Sequence, residues 1–326
     1  MNLLFITATR VGDAVLTCGL LDHLLERHPG ARVTIACGAP AASLFAAVPG
    51  LERIHVVRKR RYNLHWLDLW ARLLDRRWDL VVDLRSSLIG LLVRRRVRLT
   101  HWKQHQQSHR VVELGRLAGI EPPPMPRAWT SATHEATAGR LLGGGPILAV
   151  GPAANSPGKQ WPAERFASLA KRLTGSEGLL PGARIAVFAA ANERAQVEPM
   201  LAALDPERTI DLVGQLDLLE VAACLKRAGL YVGNDSGLMH LAAACRTPTL
   251  GLFGPSPVER YRPWGPHCAV AQTLESFETL QALPDYRERW RQGRLMDSLT
   301  VDRAATAAEE LWTRLAGRRE ALSAEG

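Results

Sequence analysis

Short apolar runs alternate along the chain with longer stretches in which apolar residues recur every three or four positions. Residues 3–7 form a continuous apolar run, the pattern of a parallel strand buried on both faces. Over residues 14–28, Val15, Leu20, Leu21, Leu24 and Leu25 keep helical spacing, and His28, Pro29 and Gly30 end the helix. A second strand is predicted at 33–36. A helix carrying Trp66, Leu67, Trp70, Leu73 and Leu74 then leads into a strand at 80–84. Pro- and Gly-dense stretches at 121–126 and 143–146 break the pattern. Beyond them it restarts, with strands predicted at 147–150, 184–189, 230–232 and 249–253. The helices between fall at 162–173, 192–204, 218–227 and 238–244. A last amphipathic helix covers 302–322, with Ala305, Ala308, Leu311, Trp312 and Leu315 on its apolar stripe. Two α/β domains with parallel sheets and a cleft between them are expected, with ligands beyond the carboxyl ends of the strands.

Composition narrows the class. A chain of 326 residues fits two domains, and 47% hydrophobic with 22% charged residues excludes wholesale disorder. The longest uncharged stretch, 33–51, contains Gly38, Pro40, Pro49 and Gly50, which argues against a spanning helix. The first residues show neither a basic leader nor a small-residue cleavage site, so no signal peptide is expected. Cys18, Cys37, Cys224, Cys245 and Cys268 are scattered without a CxxC, as reduced buried thiols of a cytoplasmic protein are. The net charge of +9 is concentrated: residues 51–116 hold 16 Lys and Arg against 6 Asp and Glu, a local +10. Such a sector is either a solvated face or a footprint for an anionic partner: nucleic acid, a membrane surface, or a phosphorylated or carboxylated acceptor.

Familiar reaction motifs are absent. No GxGxxG follows a strand, Gly158 and Lys159 do not complete a Walker loop, and HExxH, GxSxG and DxD do not occur. What remains is three polar segments at strand-to-helix junctions. In the first (Arg10, Val11, Gly12, Asp13), Gly12 allows a close turn, and Asp13 reads either as a helix cap or as a general base. The second runs from Gly151 to Pro162. It reads as an ordinary connection anchored by Trp161 and Pro162, or as a diphosphate cradle of Asn155, Ser156, loop amides and Lys159. The third, from Gly233 to His240, sets Asp235, Ser236 and the Gly237 amide at a helix start, where the dipole favours phosphate. Packing alone does not account for so many polar groups there.

Together these segments resemble glycosyltransferase family 9, the ADP-heptose:lipopolysaccharide heptosyltransferases. The family's R-x-G-D loop is matched by residues 10–13, and its K-x-W-P element by Lys159, Gln160, Trp161 and Pro162. Its (N)DSG-x-x-H-L-A-A, proline and FGP series is matched from Asn234 through Pro248 to Phe253, Gly254 and Pro255. The order and spacing agree over roughly residues 1–315. The resemblance implies a GT-B fold of two facing Rossmann-like domains: 1–145 for the acceptor, 146–300 for the nucleotide sugar, and 301–326 as a helix packing back on the N-terminal domain. It implies inverting transfer from a nucleotide sugar, ADP-heptose by the family's pattern, with no bound metal or other cofactor in the chemical step. By this resemblance Asp13 is the base and Lys159 a diphosphate contact. Asp235, Ser236, Gly237 and His240 form the donor pocket, and Glu193 meets the ribose. Two departures stand out: Ala189, Ala190, Ala191 and Asn192 replace a Gly-rich turn before that glutamate, and residues 83–86 read D-L-R-S rather than D-x-Q-G.

The acceptor would then be an anionic glycolipid, met by a monomeric cytoplasmic enzyme peripheral on the inner membrane. Gly12 and the arginines Arg58, Arg60, Arg61, Arg85, Arg94 and Arg95 are candidates to hold that acceptor or the leaflet itself. A GT-B enzyme for another nucleotide sugar would share the 235–240 pocket. A nucleic-acid-binding protein would use the basic sector, but it leaves Lys159 and residues 233–237 without a role, and only Trp102 supplies an aromatic ring over 85–116.

Overall fold

The structure is a computed structural model that describes residues 1–58, 61–100 and 108–324. Arg60 and Trp102, singled out above, lie outside the described residues. The chain divides into two compact units, Met1–Ser131 and Ala132–Gly326.

The first unit contains β1 (Asn2–Ile6), α1 (Val11–Arg27), β2 (Arg32–Cys37), β3 (Leu51–Val56), α2 (His65–Arg72) and β4 (Trp78–Asp83). The helix α3 (Ile89–Leu92), β5 (Arg95–Thr100) and α4 (Arg110–Ala118) complete it. Its sheet has the order β3-β2-β1-β4-β5, with every pairing parallel. β1 lies at the centre, and Leu3, Leu4, Phe5 and Ile6 are buried because helices cover both sheet faces. The helix predicted at 66–74 forms as α2, with His65 and Leu69 buried and Leu73 buried just past its end, while Leu67 and Leu74 face solvent.

The second unit opens with α5 (Ala132–Leu142), β6 (Ile147–Gly151), α6 (Ala163–Thr174), β7 (Arg184–Val187), α7 (Arg194–Ala203) and β8 (Thr209–Asp211). It continues through α8 (Leu218–Lys226), β9 (Leu230–Asn234), α9 (Gly237–Ala244), β10 (Thr249–Phe253), α10 (Val258–Tyr261) and β11 (Cys268–Gln272). It closes with α11 (Phe277–Gln281), α12 (Tyr286–Gln292) and α13 (Val301–Ala324). The six strands are parallel in the order β11-β10-β9-β6-β7-β8. On one face Leu148, Val150, Leu230, Val232, Leu250 and Leu252 form a core with Phe166, Leu169 and Leu173 of α6.

One expected boundary moves. α5, expected in the first domain, packs on α8 and belongs to the second unit, so the division falls at Ser131 rather than near 145. In the final helix Ala304, Ala305, Ala308 and Leu311 are fully buried in the second unit's core, beside α6 and the β10–β11 edge. Small residues on that stripe let a helix lie close against the sheet. No helix among the described residues is long and apolar enough to cross a membrane.

Candidate functional site

Each sheet reverses its strand order once, between β1 and β4 in the first unit and between β6 and β9 in the second. At such a point neighbouring connections leave in opposite directions, which opens a crevice beyond the carboxyl ends of the strands. All three polar segments lie at these two points. Residues 10–13 follow β1, residues 152–162 follow β6, and residues 235–240 follow β9.

In the second unit the segments are wired together. Asn234, fully buried at the end of β9, accepts a hydrogen bond from the Trp161 amide at 3.1 Å and donates to the Pro152 carbonyl at 2.7 Å. The Trp161 indole, also buried, donates to the Leu299 carbonyl at 2.8 Å. One side chain of the third segment thus holds both ends of the loop that carries Lys159. Lys159 Nζ reaches the Asp235 carboxylate at 2.6 Å, and the Ser256 hydroxyl donates to the same oxygen at 2.7 Å. His240 Nε2 lies 4.0 Å from the other carboxylate oxygen. Lys159, Asp235 and Ser256 follow β6, β9 and β10, three adjacent strands, so their meeting is a consequence of sheet order. A buried carboxylate needs such partners, since an unpaired charge out of water is costly. Lys159 was expected as a diphosphate contact; here one of its three ammonium donors is engaged by Asp235.

Around this pair are groups suited to an anion. Ser236 precedes α9, but no side chain caps that helix, so the first-turn N–H groups lack a side-chain acceptor. Among the described residues the Ser156 hydroxyl is buried without a hydrogen-bond partner, and the buried Ser236 hydroxyl lies toward the Tyr231 phenol. Tyr231 is fully buried, and burial pushes its phenol pKa up, keeping it neutral. Its hydroxyl occupies the space that side chains at residues 151 and 233 would need: a Cβ at either would lie 2.1 or 2.3 Å from it. Only glycine fits at those two paired positions. Glu193, after β7, accepts a hydrogen bond from the Ala190 amide at 2.9 Å. Asn155 is exposed and shares no hydrogen bond with the Asp235 group.

In the first unit α1 starts at Val11, so Asp13 lies in its first turn; Arg10 occupies the cap position, and no side chain caps the helix. Helix capping therefore does not account for Asp13. Its half-buried side chain has no hydrogen bond or ion pair among the described residues. Gly12 precedes it within the same turn. On the neighbouring strand end, Asp83 is fully buried and accepts from the Arg85 amide at 3.0 Å and the Ser87 hydroxyl at 2.8 Å. Burial raises its pKa, while those hydrogen bonds oppose the shift. Arg85, Arg58, Arg61 and Arg94 are exposed. Arg95, another candidate for the acceptor or the leaflet, is half-buried, and its guanidinium donates to the Leu91 carbonyl at 2.7 Å, closing the end of α3.

Sequence reasoning missed Ser256 and Tyr231, and noted Asp83 only as the first residue of a departure from the family's D-x-Q-G. Ser256 had a usable signal, as the first hydroxyl after the β10 run and the Gly254–Pro255 turn. Tyr231 had a weaker one, an aromatic with a polar tip in a strand otherwise too apolar to bond it. The five cysteines are free thiols, and burial pushes those of Cys37, Cys224, Cys245 and Cys268 up to about 12. Among the described residues no three His, Cys, Asp or Glu gather where they could hold a metal ion.

Two doubly wound parallel units in one chain make up the GT-B fold of glycosyltransferases. The profile of glycosyltransferase family 9 (heptosyltransferase) matches residues 83–281, and the chain belongs to that family. It is similar to lipooligosaccharide heptosyltransferase 2 of Haemophilus influenzae, 25% identical over 317 residues that cover 84% of this chain and 89% of that protein. Lipopolysaccharide heptosyltransferase 2 of Salmonella typhimurium is 23% identical over 331 residues, covering 86% and 90%. The fold is similar to that of a family 9 glycosyl transferase from Veillonella parvula, with TM-score 0.79 and 19% identity over 96% of this chain and 97% of that one.

Proposed function

We propose that this glycosyltransferase moves a heptose from ADP-heptose to a hydroxyl of a lipid-linked, anionic glycan of the lipopolysaccharide core, with inversion at the anomeric carbon. The second unit holds the donor and the first unit the acceptor. The observation that carries the reading is the convergence of Lys159, Asp235, Ser256 and the uncapped start of α9 on three adjacent strand ends. The names of the relatives, which are lipooligosaccharide and lipopolysaccharide heptosyltransferases, support the choice of sugar and acceptor. An E. coli neighbour described as an ADP-heptose heptosyltransferase supports the nucleotide.

In this mechanism the acceptor oxygen attacks the anomeric carbon as the bond to the diphosphate breaks. ADP leaves, and the hydroxyl proton passes to Asp13. A carboxylate is a weak base toward an alcohol, so the proton moves late, as positive charge builds at the sugar. Stabilising the departing diphosphate then supplies much of the rate. In this reading Lys159, the Ser236 hydroxyl and the first-turn amides of α9 do so, and the Lys159–Asp235 pair beside the uncapped start of α9 supports it. Asp235 and His240 face the sugar, and Glu193 the ribose. We assign the chemical step to these residues without a resident metal, so turnover should persist in a chelator.

The deciding experiment offers the protein several nucleotide sugars. ADP-heptose should raise the melting temperature and release ADP with an acceptor glycolipid, and product analysis should show inversion. Stabilisation by a uridine or guanosine sugar, but not by ADP-heptose, would transfer the reading to another GT-B donor.

A further inference from the structure

Among the described residues, nine of the eleven exposed large apolar side chains fall between Val56 and Val97 of the first unit. Scattered single leucines on a surface need no explanation, but a contiguous group does. α2 and α3 lie side by side, since the Trp70 indole donates to the Leu92 carbonyl at 3.3 Å. Their inner residues Leu69, Leu73, Ile89 and Val93 share one core with β4. The outward side of the same pair carries Leu64, Leu67, Leu88, Leu91 and Leu92, with Leu67 59% and Leu88 67% exposed. α3 is thus apolar on both sides, yet only one side is covered. Tyr62, just before α2, is 78% exposed and held out by a left-handed backbone (φ 55°), with the Arg61 guanidinium 4.8 Å from its ring centre.

Arginines flank these helices in sequence. Arg58, Arg61, Arg94 and Arg96 pair with no carboxylate among the described residues, whereas Arg53, Arg72 and Arg76 do. We infer that the outward side of α2 and α3 is a membrane-docking face: Tyr62 and the leucines enter the interface of a bilayer while the arginines meet anionic headgroups. The inference rests on the reading of a lipid-linked acceptor and specifies how the enzyme reaches it. Coulombic attraction alone would use the arginines and leave exposed leucines without a role. A second copy of the chain is disfavoured as occupant, because a two-fold contact would set this basic surface against itself. An interfacial tyrosine with apolar neighbours and flanking arginines fits a leaflet boundary.

The test is co-sedimentation of the whole protein with vesicles of phosphatidylcholine alone and with roughly one-third phosphatidylglycerol. The wild type should bind the anionic vesicles and retain part of that binding at high salt. The Leu67→Ser, Leu91→Ser, Leu92→Ser variant should bind at least about tenfold more weakly. Its melting temperature and its ADP binding, read by calorimetry, should stay unchanged, because these side chains are exposed and the donor residues lie in the other unit. Arg61→Gln with Arg94→Gln should weaken binding mainly at low salt. Vesicle binding by the serine variant equal to wild type, or no binding by the wild type, would overturn the proposal. So would a serine variant that changes only self-association. Failure of ADP to bind the wild type would count against the donor reading alone and leave the vesicle result standing.

Discussion

At the carboxyl ends of β6, β9 and β10, the buried Asp235 carboxylate is met by Lys159 at 2.6 Å and by Ser256 at 2.7 Å, and Asn234 bolts the adjoining loop in place. At the carboxyl ends of β1 and β4, Asp13 is half-exposed and unpaired among the described residues, and Asp83 bonds to the loop that follows it and to the start of α3. The two sheets share a topology but house their charges differently. A paired, hydrogen-bonded site keeps its geometry before a ligand arrives, which suits stabilisation of a leaving diphosphate. An unpaired carboxylate in a first helical turn is available to accept a proton. The contrast teaches that one α/β scaffold can cross-link its carboxylate at one switch point and leave a carboxylate unpaired at the other, which in the proposed mechanism separates binding from proton transfer.

The strongest test of this contrast is Asp13→Asn. As the base, Asp13 should account for about 10²–10⁴ in kcat. It caps nothing, so melting temperature and ADP affinity should match wild type. Turnover at the wild-type rate would remove Asp13 from the chemistry and the contrast with it.

Next in size is Lys159→Ala. Loss of a charge-assisted contact should weaken ADP by about 1.5–3 kcal/mol while adenosine binds as before. It should also destabilise the fold by roughly 1–3 kcal/mol. The figure is kept below that for a fully buried pair because Lys159 retains some exposure, yet Asp235 loses its counter-charge. Adding Asp235→Asn sharpens the point. The double variant should regain stability in thermal unfolding, but not ADP affinity in calorimetry. Recovery of both would mean that Lys159 serves only to neutralise Asp235.

The smallest effect concerns Asp83. Its folded-state pKa is raised by burial, so its contribution to stability is fully present below the unfolded value and is lost as pH rises through the folded one. Asp83→Asn cannot ionise and keeps a carbonyl for the Arg85 amide. The melting temperature of the variant minus that of wild type should therefore become more positive from about pH 4 toward pH 7. Parallel melting curves would show that its hydrogen bonds cancel the burial.

The strands legible from sequence were the interior ones. β1, β2, β4, β6, β7, β9 and β10 stand out because helices on both faces demand nearly continuous apolar runs, and β10 was predicted to the residue. β3, β5, β8 and β11 were not read, and all four are sheet edges. Sequences such as RRVRLT and TID are half-exposed and charged, so they carry neither a full apolar run nor clean alternation. The pairing that makes them strands is supplied by a neighbour distant in sequence.

The same division runs through the site. Local chemistry was written in the chain: small and polar residues at strand ends, Gly12 and Gly237 at helix starts, and a lysine in a loop otherwise free of charge. These are short-range demands, and residues adjacent in sequence satisfy them. Which groups touch was decided by tertiary structure. Lys159 and Asp235 stand 76 residues apart, Asn234 and Trp161 73, and they meet only because β6 and β9 pair across the reversal of strand order. The final helix shows the limit most clearly. Its apolar stripe was evident in sequence, but a stripe states that it must be covered and not by what, and packing against α6 and the β10–β11 edge supplied the answer.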